Sequence, residues 1–153
     1  LHQASRTVIN YLLLNQIGTL VIGLNKQWKT NINIGKRNNQ NFVQIPHSKF
    51  IHQLTYKAKL VGIKVIVNEE SYTSKASFLD LDNIPIYKKG VKYTFSGTRL
   101  KRGLYKSARG ILINADLNGS YNILRKAVPN AFAEGIEGLG VVPSRFTPSK
   151  IAL

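Results

Sequence analysis

Residues 62–70 read Gly-Ile-Lys-Val-Ile-Val-Asn-Glu-Glu, a short β-branched run that a glycine precedes and two carboxylates follow. This pattern predicts a strand over Ile63–Val67 that is buried on both faces. The run Gly-Thr-Leu-Val-Ile-Gly at residues 18–23 predicts a second strand of the same kind. Between the two strands, Pro46 begins a stretch with apolar residues at helical spacing, which predicts a helix. Because a helical crossover returns the chain in the same direction, we expect the strands to pair in parallel.

Two further helices are predicted on either side of these strands. Apolar residues recur at helical spacing over Gln3–Asn15, where Ser5 is the expected N-cap. The last helix is expected to begin near Asp116 and to end at Ala127, ahead of Pro129. The polar stretch Asn25–Gln44 has little periodicity and is expected to be an exposed loop. The alternation of helices and strands places the chain in the α/β class.

The composition is strongly basic. The 153 residues include 22 Lys and Arg against 7 Asp and Glu, which gives a formal net charge of +15. A surplus of this size is typical of proteins that bind DNA or RNA. The chain has no cysteine, so disulfides and thiolate metal sites are excluded. No apolar run approaches the ~20 residues needed to cross a bilayer, so we expect a cytoplasmic protein without a membrane partner.

The segment 71–113 differs from the rest of the chain. It is basic, rich in glycine and poor in long apolar runs, so we expect an insertion of short strands and turns. Its cations are interleaved with Tyr and Phe, a pattern that suits a groove for a nucleic-acid backbone with stacking platforms. The alternative is a solvated cationic face that contacts nothing. The cations concerned are Lys88, Lys89, Lys92, Arg99, Lys101, Arg102, Lys106 and Arg109.

Two motifs carry acidic residues that are candidates for chemistry. The first, Asn-Glu-Glu-Ser-Tyr-Thr-Ser-Lys at 68–75, follows the second strand, and the other, Asn-Ala-Asp-Leu-Asn-Gly-Ser-Tyr-Asn-Ile at 114–123, opens the last helix. A carboxylate at the end of a parallel strand lies at the edge where α/β sheets bind ligands, and oxygen ligands suit Mg²⁺. Three alternatives remain open. Asp116 is a favoured residue for a helix cap, Glu70 suits a solvated strand end, and Asn118 and Asn122 suit the polar face of a helix.

The amino-acid sequences of the two motifs resemble those of a known protein family. Glu-x-x-Thr-Ser-Lys from Glu70 and Asp-x-Asn-Gly-Ser-x-Asn-Ile from Asp116 resemble the second and third RuvC motifs of the TnpB (OrfB) family, which is encoded by transposons and related to type V CRISPR effectors. Three other segments agree with the TnpB family in their order along the chain: the opening of the first helix, the first strand, and Leu-Thr-Tyr-Lys-Ala at 54–58. The resemblance therefore covers Leu1 to about Lys126. It implies an RNase-H-like (RuvC) fold that cuts DNA with Mg²⁺ or Mn²⁺ under the direction of a guide RNA.

The resemblance also assigns roles to residues. Glu70 is expected to be the second catalytic carboxylate and metal ligand and Asp116 the third, with Glu69 the less favoured neighbour. The first catalytic Asp of the family lies upstream of anything in this sequence, so the chain alone is expected to be nearly inert. Two other classes remain open: a nucleic-acid-binding module without catalysis, and a decayed remnant of an insertion element.

Many members of the TnpB family carry a zinc ribbon in the insertion. Its four ligand positions fall on Ser77, Asp80, Lys106 and Arg109, which cannot bind tetrahedral Zn²⁺, so we expect a metal-free knuckle and no zinc. The expected division is a RuvC-like core over 1–70, the ribbon-like insertion over 71–113, a closing helix over 114–128 and a flexible tail over 129–153. The resemblance further implies association with the nucleoid.

Overall fold

The computed structural model describes residues 1–24 and 46–143. They belong to two compact units, one within Leu1–Val67 and the other within Asn68–Arg145. The loop expected over Asn25–Gln44 lies outside the described residues. The chain combines helices with small sheets, so the α/β class expected from the sequence is confirmed.

The first unit alternates helices and strands. Helix α1 (His2–Leu14) leads to strand β1 (Thr19–Leu24), and helix α2 (His47–Leu60) leads to strand β2 (Lys64–Glu69), whose end crosses into the second unit. The strands β1 and β2 are hydrogen-bonded neighbours in one sheet. The amide of Lys64 donates to the carbonyl of Gly18 at 2.9 Å, so both strands start side by side, as in a parallel pair.

The expectation that both strands are buried on both faces is wrong. Residues of β1 and β2 are at most half-buried, and Val67 is 45% exposed. Leu20, Ile22 and Val65 pack against the helices, and alternation along each strand places Val21 and Ile66 on the opposite face. In the described residues this sheet has two strands and one covered face. The core beneath it consists of Ile9, Leu12, Leu54, Ala58 and Ile63.

The sequence had suggested that Ser5 caps α1, but Ser5 instead joins the two helices. Helix α1 begins at His2 after Leu1, without a side-chain cap. Ser5 is fully buried, its hydroxyl donates to the His2 carbonyl at 3.0 Å, and it accepts from the Lys57 ammonium at 2.7 Å. The hydroxyl of Ser5 is therefore occupied by the contact between α1 and α2.

The second unit contains an antiparallel sheet and one helix. Strands β3 (Thr98–Lys101), β4 (Leu104–Lys106) and β5 (Leu112–Asn114) pair in that order, with Tyr105 opposite Ile113. Helix α3 (Ala115–Ala127) follows β5 directly, close to its expected limits. The sheet and the helix share a core of Tyr105, Ile113 and Ala115.

Part of the segment that was expected to be a flexible tail contacts this unit. Phe132 packs against Phe78 and Tyr121, with ring centroids 4.9 and 5.9 Å apart. The Tyr121 hydroxyl donates to the Gly140 carbonyl at 2.9 Å, and the Asn114 amide donates to the Val141 carbonyl at 2.9 Å. The end of the expected tail, residues 144–153, lies outside the described residues.

In the part of the chain that the structure describes, every helix is too short or too polar to cross a membrane.

Candidate nucleic-acid and metal site

The N-terminus of α3 is capped by Asn114. Its side-chain oxygen accepts from the amides of Asp116 at 2.9 Å and Leu117 at 3.1 Å. The alternative that Asp116 is the cap is therefore wrong. Asp116 lies in the first turn, where a carboxylate is favoured by the helix dipole, and it is exposed. Its carboxylate has no hydrogen bond or ion pair with any described residue.

Asn118 and Asn122 are fully buried and hold the segment 73–78 against α3. Asn118 accepts from the Phe78 amide at 2.9 Å and donates to the Ala76 carbonyl at 2.8 Å. Asn122 donates to the carbonyls of Thr73 at 2.9 Å and Ala76 at 2.8 Å. The alternative that both line a solvated polar face is therefore wrong. The four-residue spacing of the pair is the one sequence signal of this role, since such residues share a helix face.

The neighbours Glu69 and Glu70 have different surroundings. The Glu69 carboxylate accepts from the Lys126 ammonium and from the Ser71 amide, both at 2.6 Å. Partial burial raises the pKa of Glu69, but these hydrogen bonds from Lys126 and Ser71 outweigh it, so the net pKa is lowered. Glu69 is therefore a charged residue whose carboxylate is already occupied.

Glu70 is half-buried, and its carboxylate has no hydrogen-bond or ion-pair partner in the described ranges. Burial raises the pKa of the Glu70 carboxyl, and the nearby negative charge of Glu69 raises it further. A carboxylate that is partly desolvated and unpaired is a candidate functional group, because structural carboxylates usually acquire partners. Of the two acids at the end of β2, Glu70 is the one whose carboxylate is free to bind a cation.

Contacts along α3 anchor Glu70 and Asp116 near opposite ends of the helix. The residues on either side of Glu70 bind Lys126 in the last turn, through the Glu69 carboxylate and the Ser71 carbonyl. Asp116 lies in the first turn, about 15 Å from Lys126 along the helix axis at 1.5 Å per residue. It also lies about 200° around the helix from Asn118, which faces the segment 73–78. No hydrogen bond or charge interaction joins Glu70 to Asp116 in the described part of the chain.

The acidic side chains have the right chemistry for Mg²⁺ but do not form a complete site. Among residues 1–24 and 46–143, no group of three or more His, Cys, Asp or Glu side chains lies close enough together to hold a metal ion. Carboxylate oxygens are ligands that Mg²⁺ accepts, and the ion usually keeps several waters. The described residues therefore offer single carboxylates, and no step of a metal-dependent reaction is derived from them.

Three of the four expected ribbon positions meet around the Asp80 carboxylate. It accepts from the Ser77 hydroxyl at 2.5 Å and the Ala108 amide at 2.8 Å, and Arg109 lies 3.8 Å away. Arg109 also donates to the Leu79 carbonyl at 2.8 Å. The fourth position, Lys106, is exposed and does not join them. The turns at 77–82 and 106–111 are thus joined by hydrogen bonds centred on one carboxylate.

Asp82 links the turn at 77–82 to Ser96. Its carboxylate accepts from the amides of Ser77 at 2.8 Å and Ser96 at 3.0 Å, and from the Ser96 hydroxyl. Partial burial raises the pKa of Asp82, but the hydrogen bonds from Ser96 and Ser77 and the charge of Arg125 outweigh it, so the net pKa is lowered. Two aspartates, Asp80 and Asp82, thus bind the turns of the expected knuckle.

The cations expected to bind nucleic acid are all exposed. Arg109 is occupied by Asp80 and Leu79, whereas the charged groups of the others have no partner in the described ranges. Three of them, Arg99, Lys101 and Lys106, lie on β3 and β4, and Arg102 lies in the turn between those strands. Unpaired cations on one small sheet raise the local concentration of polyanions.

A comparison of the sequence with models of protein families also points to nucleic-acid binding. Residues 47–123, about half of the chain, match one family model, and the match includes both acidic motifs and the basic sheet. The chain therefore belongs to a class of nucleic-acid-binding nucleases related to TnpB and Cas12. Its family within that class is described as Cas12f1-like, TNB domain. The comparison with curated proteins found no match.

Proposed function

We propose that this chain is the C-terminal part of a TnpB-like, RNA-guided DNA endonuclease with a RuvC-type, RNase-H-like catalytic domain. The observation that carries the proposal is the family match over residues 47–123, which includes the motifs of Glu70 and Asp116. The partners are the DNA that is cut and the guide RNA. Association with the nucleoid follows from DNA binding.

Glu70 and Asp116 are the proposed metal ligands. When bound, Mg²⁺ or Mn²⁺ would activate a water molecule and stabilise the leaving oxygen of a phosphodiester. Glu70 suits this role because Lys126 neutralises its neighbour Glu69 and leaves the Glu70 carboxylate free. Asp116 suits it because Asn114 has taken over the capping of α3. The asparagines of α3 fix the backbone between the two carboxylates.

The chain by itself should bind nucleic acid without cutting it. Two carboxylates near opposite ends of α3 do not complete a metal site, and the resemblance to TnpB implies a further Asp upstream. The ribbon-like sheet is proposed to be a zinc-ribbon remnant that binds no zinc, because Ser77, Asp80 and Arg109 interact with one another.

The proposal is tested by titrating the chain with Mn²⁺ and following amide signals by NMR. Paramagnetic broadening is expected at Glu70 and Asp116 and should disappear at the altered residue in Glu70→Gln and in Asp116→Asn. The exposed acids provide matched controls, Glu134→Gln and Glu137→Gln, which should leave both sites unchanged. Equal broadening in the Glu70→Gln/Asp116→Asn double variant would refute the assignment, as would Mg²⁺-dependent DNA cleavage that Glu70→Gln leaves intact.

The second candidate is a nucleic-acid-binding module that has lost catalysis. It is favoured by the anchoring of Glu70 and Asp116 near opposite ends of α3, with no third ligand in the described residues. In this case Mn²⁺ would broaden Glu70 and Asp116 no more than Glu134, while binding of DNA and RNA would persist. A decayed remnant of an insertion element would retain neither property.

A further inference from the structure

Lys126 in the last turn of α3 differs from the exposed cations of this basic chain. Its side chain is only 10% exposed, and its ammonium donates to the Glu69 carboxylate at 2.6 Å and to the Ser71 carbonyl at 3.1 Å. Lysine is rarely buried to this extent unless it is paired. A paired and nearly buried lysine adds little to a surface that attracts polyanions, so Lys126 calls for another explanation.

The two oxygens of the Glu69 carboxylate are both occupied. Oε1 accepts from the Ser71 amide and Oε2 accepts from the Lys126 ammonium, each at 2.6 Å. To bind a metal ion through Oε2, Glu69 would have to give up a hydrogen bond between two charged groups, which is one of the stronger kinds. Without Lys126 the Ser71 amide would leave Oε2 free. Lys126 is thus the group that keeps Glu69 from binding a cation.

Access to solvent does not distinguish Glu69 from Glu70. The side chain of Glu69 is 38% exposed, and Glu70 is half-buried. The two residues are adjacent and carry the same functional group, so a hydrated divalent cation that reaches one can reach the other. What distinguishes them in the described part of the chain is that Lys126 binds the Glu69 carboxylate, whereas the Glu70 carboxylate is unpaired.

Helix α3 also fixes the backbone on both sides of Glu70. On one side Lys126 binds the Glu69 side chain and the Ser71 carbonyl. On the other side the buried Thr73 donates to the Glu70 carbonyl, from its amide at 3.2 Å and from its hydroxyl at 2.9 Å. The Thr73 carbonyl in turn accepts from Asn122, one turn before Lys126, at 2.9 Å. The turn that carries Glu70 is therefore held by the last two turns of α3.

We propose that Lys126 is a positioning residue that selects Glu70, and not Glu69, as the ligand of the divalent cation. Lys126 does so by occupying the Glu69 carboxylate and by holding the Ser71 carbonyl. The inference rests on the proposed function, which makes Glu70 a metal ligand. It adds that removal of the charge at residue 126 frees Glu69 to bind the ion, so that binding then no longer requires Glu70.

The test uses the full chain with Mn²⁺ alone and follows the broadening of amide signals over residues 68–72. In the native chain Glu70→Gln should abolish this broadening, and Glu69→Gln, which keeps an acceptor for Lys126, should retain it. In Lys126→Met we expect the requirement to change. Broadening should persist in Lys126→Met/Glu70→Gln and should be lost when Glu69→Gln is added to these two substitutions.

Two further variants separate charge from structure. Lys126→Arg keeps a cation and should restore the requirement for Glu70. Lys59→Met removes an exposed lysine from the last turn of α2 and is the matched control, in which Glu70→Gln should act as in the native chain. A purely structural role for Lys126 would lower stability without changing which carboxylate the ion requires.

The outcomes distinguish this inference from the proposed function. If Mn²⁺ causes no broadening around residue 70 of the native chain, both fail. If Glu70→Gln abolishes broadening equally with Lys126 and with Met at that position, the role of Lys126 alone is refuted. Loss of broadening in Glu69→Gln with Lys126 present would also overturn it. Circular dichroism checks folding, and if Lys126→Met unfolds, Lys126→Gln takes its place with the same expectations, because it removes the charge but keeps a donor for the Ser71 carbonyl.

Discussion

Asn118 is the side chain on which the segment after Glu70 most depends. It satisfies the Phe78 amide and the Ala76 carbonyl in a place without solvent access. Each buried backbone group left without a partner costs about 1–3 kcal/mol. Asn118→Ala leaves the Phe78 amide without a partner, whereas Asn122 still donates to the Ala76 carbonyl. We therefore expect Asn118→Ala to lower the free energy of unfolding by about 1–3 kcal/mol, measured by urea denaturation.

The exposed Asn130 is the matched control, since Asn130→Ala changes the same residue type without burying an unsatisfied group. A loss for Asn118→Ala no greater than for Asn130→Ala would show that the asparagine does not hold the segment. The sequence alone suggested a polar helix face for Asn118. Periodicity reports which residues share a face but not what covers that face, and the cover here comes from a segment about forty residues earlier.

Glu70 gives the chain an unusual response to pH. Burial and the charge of Glu69 raise the pKa of its carboxyl, so the charged form is disfavoured in the folded state. The contribution of Glu70 to stability is thus fully present below the ordinary pKa of 4.5 and is lost as pH rises through the raised pKa. We expect Glu70→Gln to raise the melting temperature slightly at pH 7, and the gain to vanish below pH 4.5.

A carboxylate whose neutral replacement stabilises the protein is frequently functional, because at such a residue activity and stability conflict. Thermal unfolding of the native chain and of Glu70→Gln across this pH range measures the effect. A loss of stability in Glu70→Gln at pH 7 would mean that Glu70 has a stabilising partner, contrary to the surroundings described above.

Among the structural elements, the two turns of the antiparallel sheet depend on Asp80. Asp80→Ala removes the acceptor for the Ala108 amide and the Ser77 hydroxyl, so we expect a loss of about 1–3 kcal/mol and faster hydrogen exchange at Ala108. Asp80→Asn keeps one acceptor oxygen and should lose less. Asp116→Ala, at an exposed and unpaired aspartate, should change stability by less than about 0.5 kcal/mol. Equal losses in Asp80→Ala and Asp116→Ala would show that Asp80 does not join the turns.

Asp82 and Glu69 should make the second unit sensitive to acid. Hydrogen bonds lower the net pKa of both carboxyls despite partial burial, so the stability they provide is present above their ordinary values of 3.8 and 4.5. It is lost as pH falls through the lowered pKa values. We expect the urea midpoint of unfolding to decrease as the pH is lowered below about 4.5, and to decrease less in Asp82→Asn. An identical acid profile in Asp82→Asn would contradict the role given to its hydrogen bonds.

The limits of most elements could be predicted from the sequence. Gly62, Pro46 and the apolar periodicity place α2 and β2 within one or two residues of their observed limits, because these signals are local. Burial of β1 and β2 on both faces was wrong, since a β-branched run shows strand propensity but not how many layers cover the strand. The network around Asp80 also escaped prediction, because it depends on turns that meet only in the folded chain.

For the chain as a whole, the distribution of charge is as informative as its total. All 7 acidic residues lie from Glu69 to Glu137, and three of them, Glu69, Asp80 and Asp82, are bound by serines, backbone amides or Lys126. Residues 1–68 contain no Asp or Glu. The cations on the surface are therefore largely uncompensated, which favours binding to a polyanion along much of the chain.

The most direct test of the central claim, that this chain binds nucleic acid, is a salt titration of its affinity for single-stranded RNA and DNA. Each phosphate contact adds about 0.7 to the slope of log affinity against log salt, so three or more contacts should lower the affinity by at least tenfold between about 50 and 200 mM salt. Affinity that does not change with salt, or no binding at low salt, would contradict the claim.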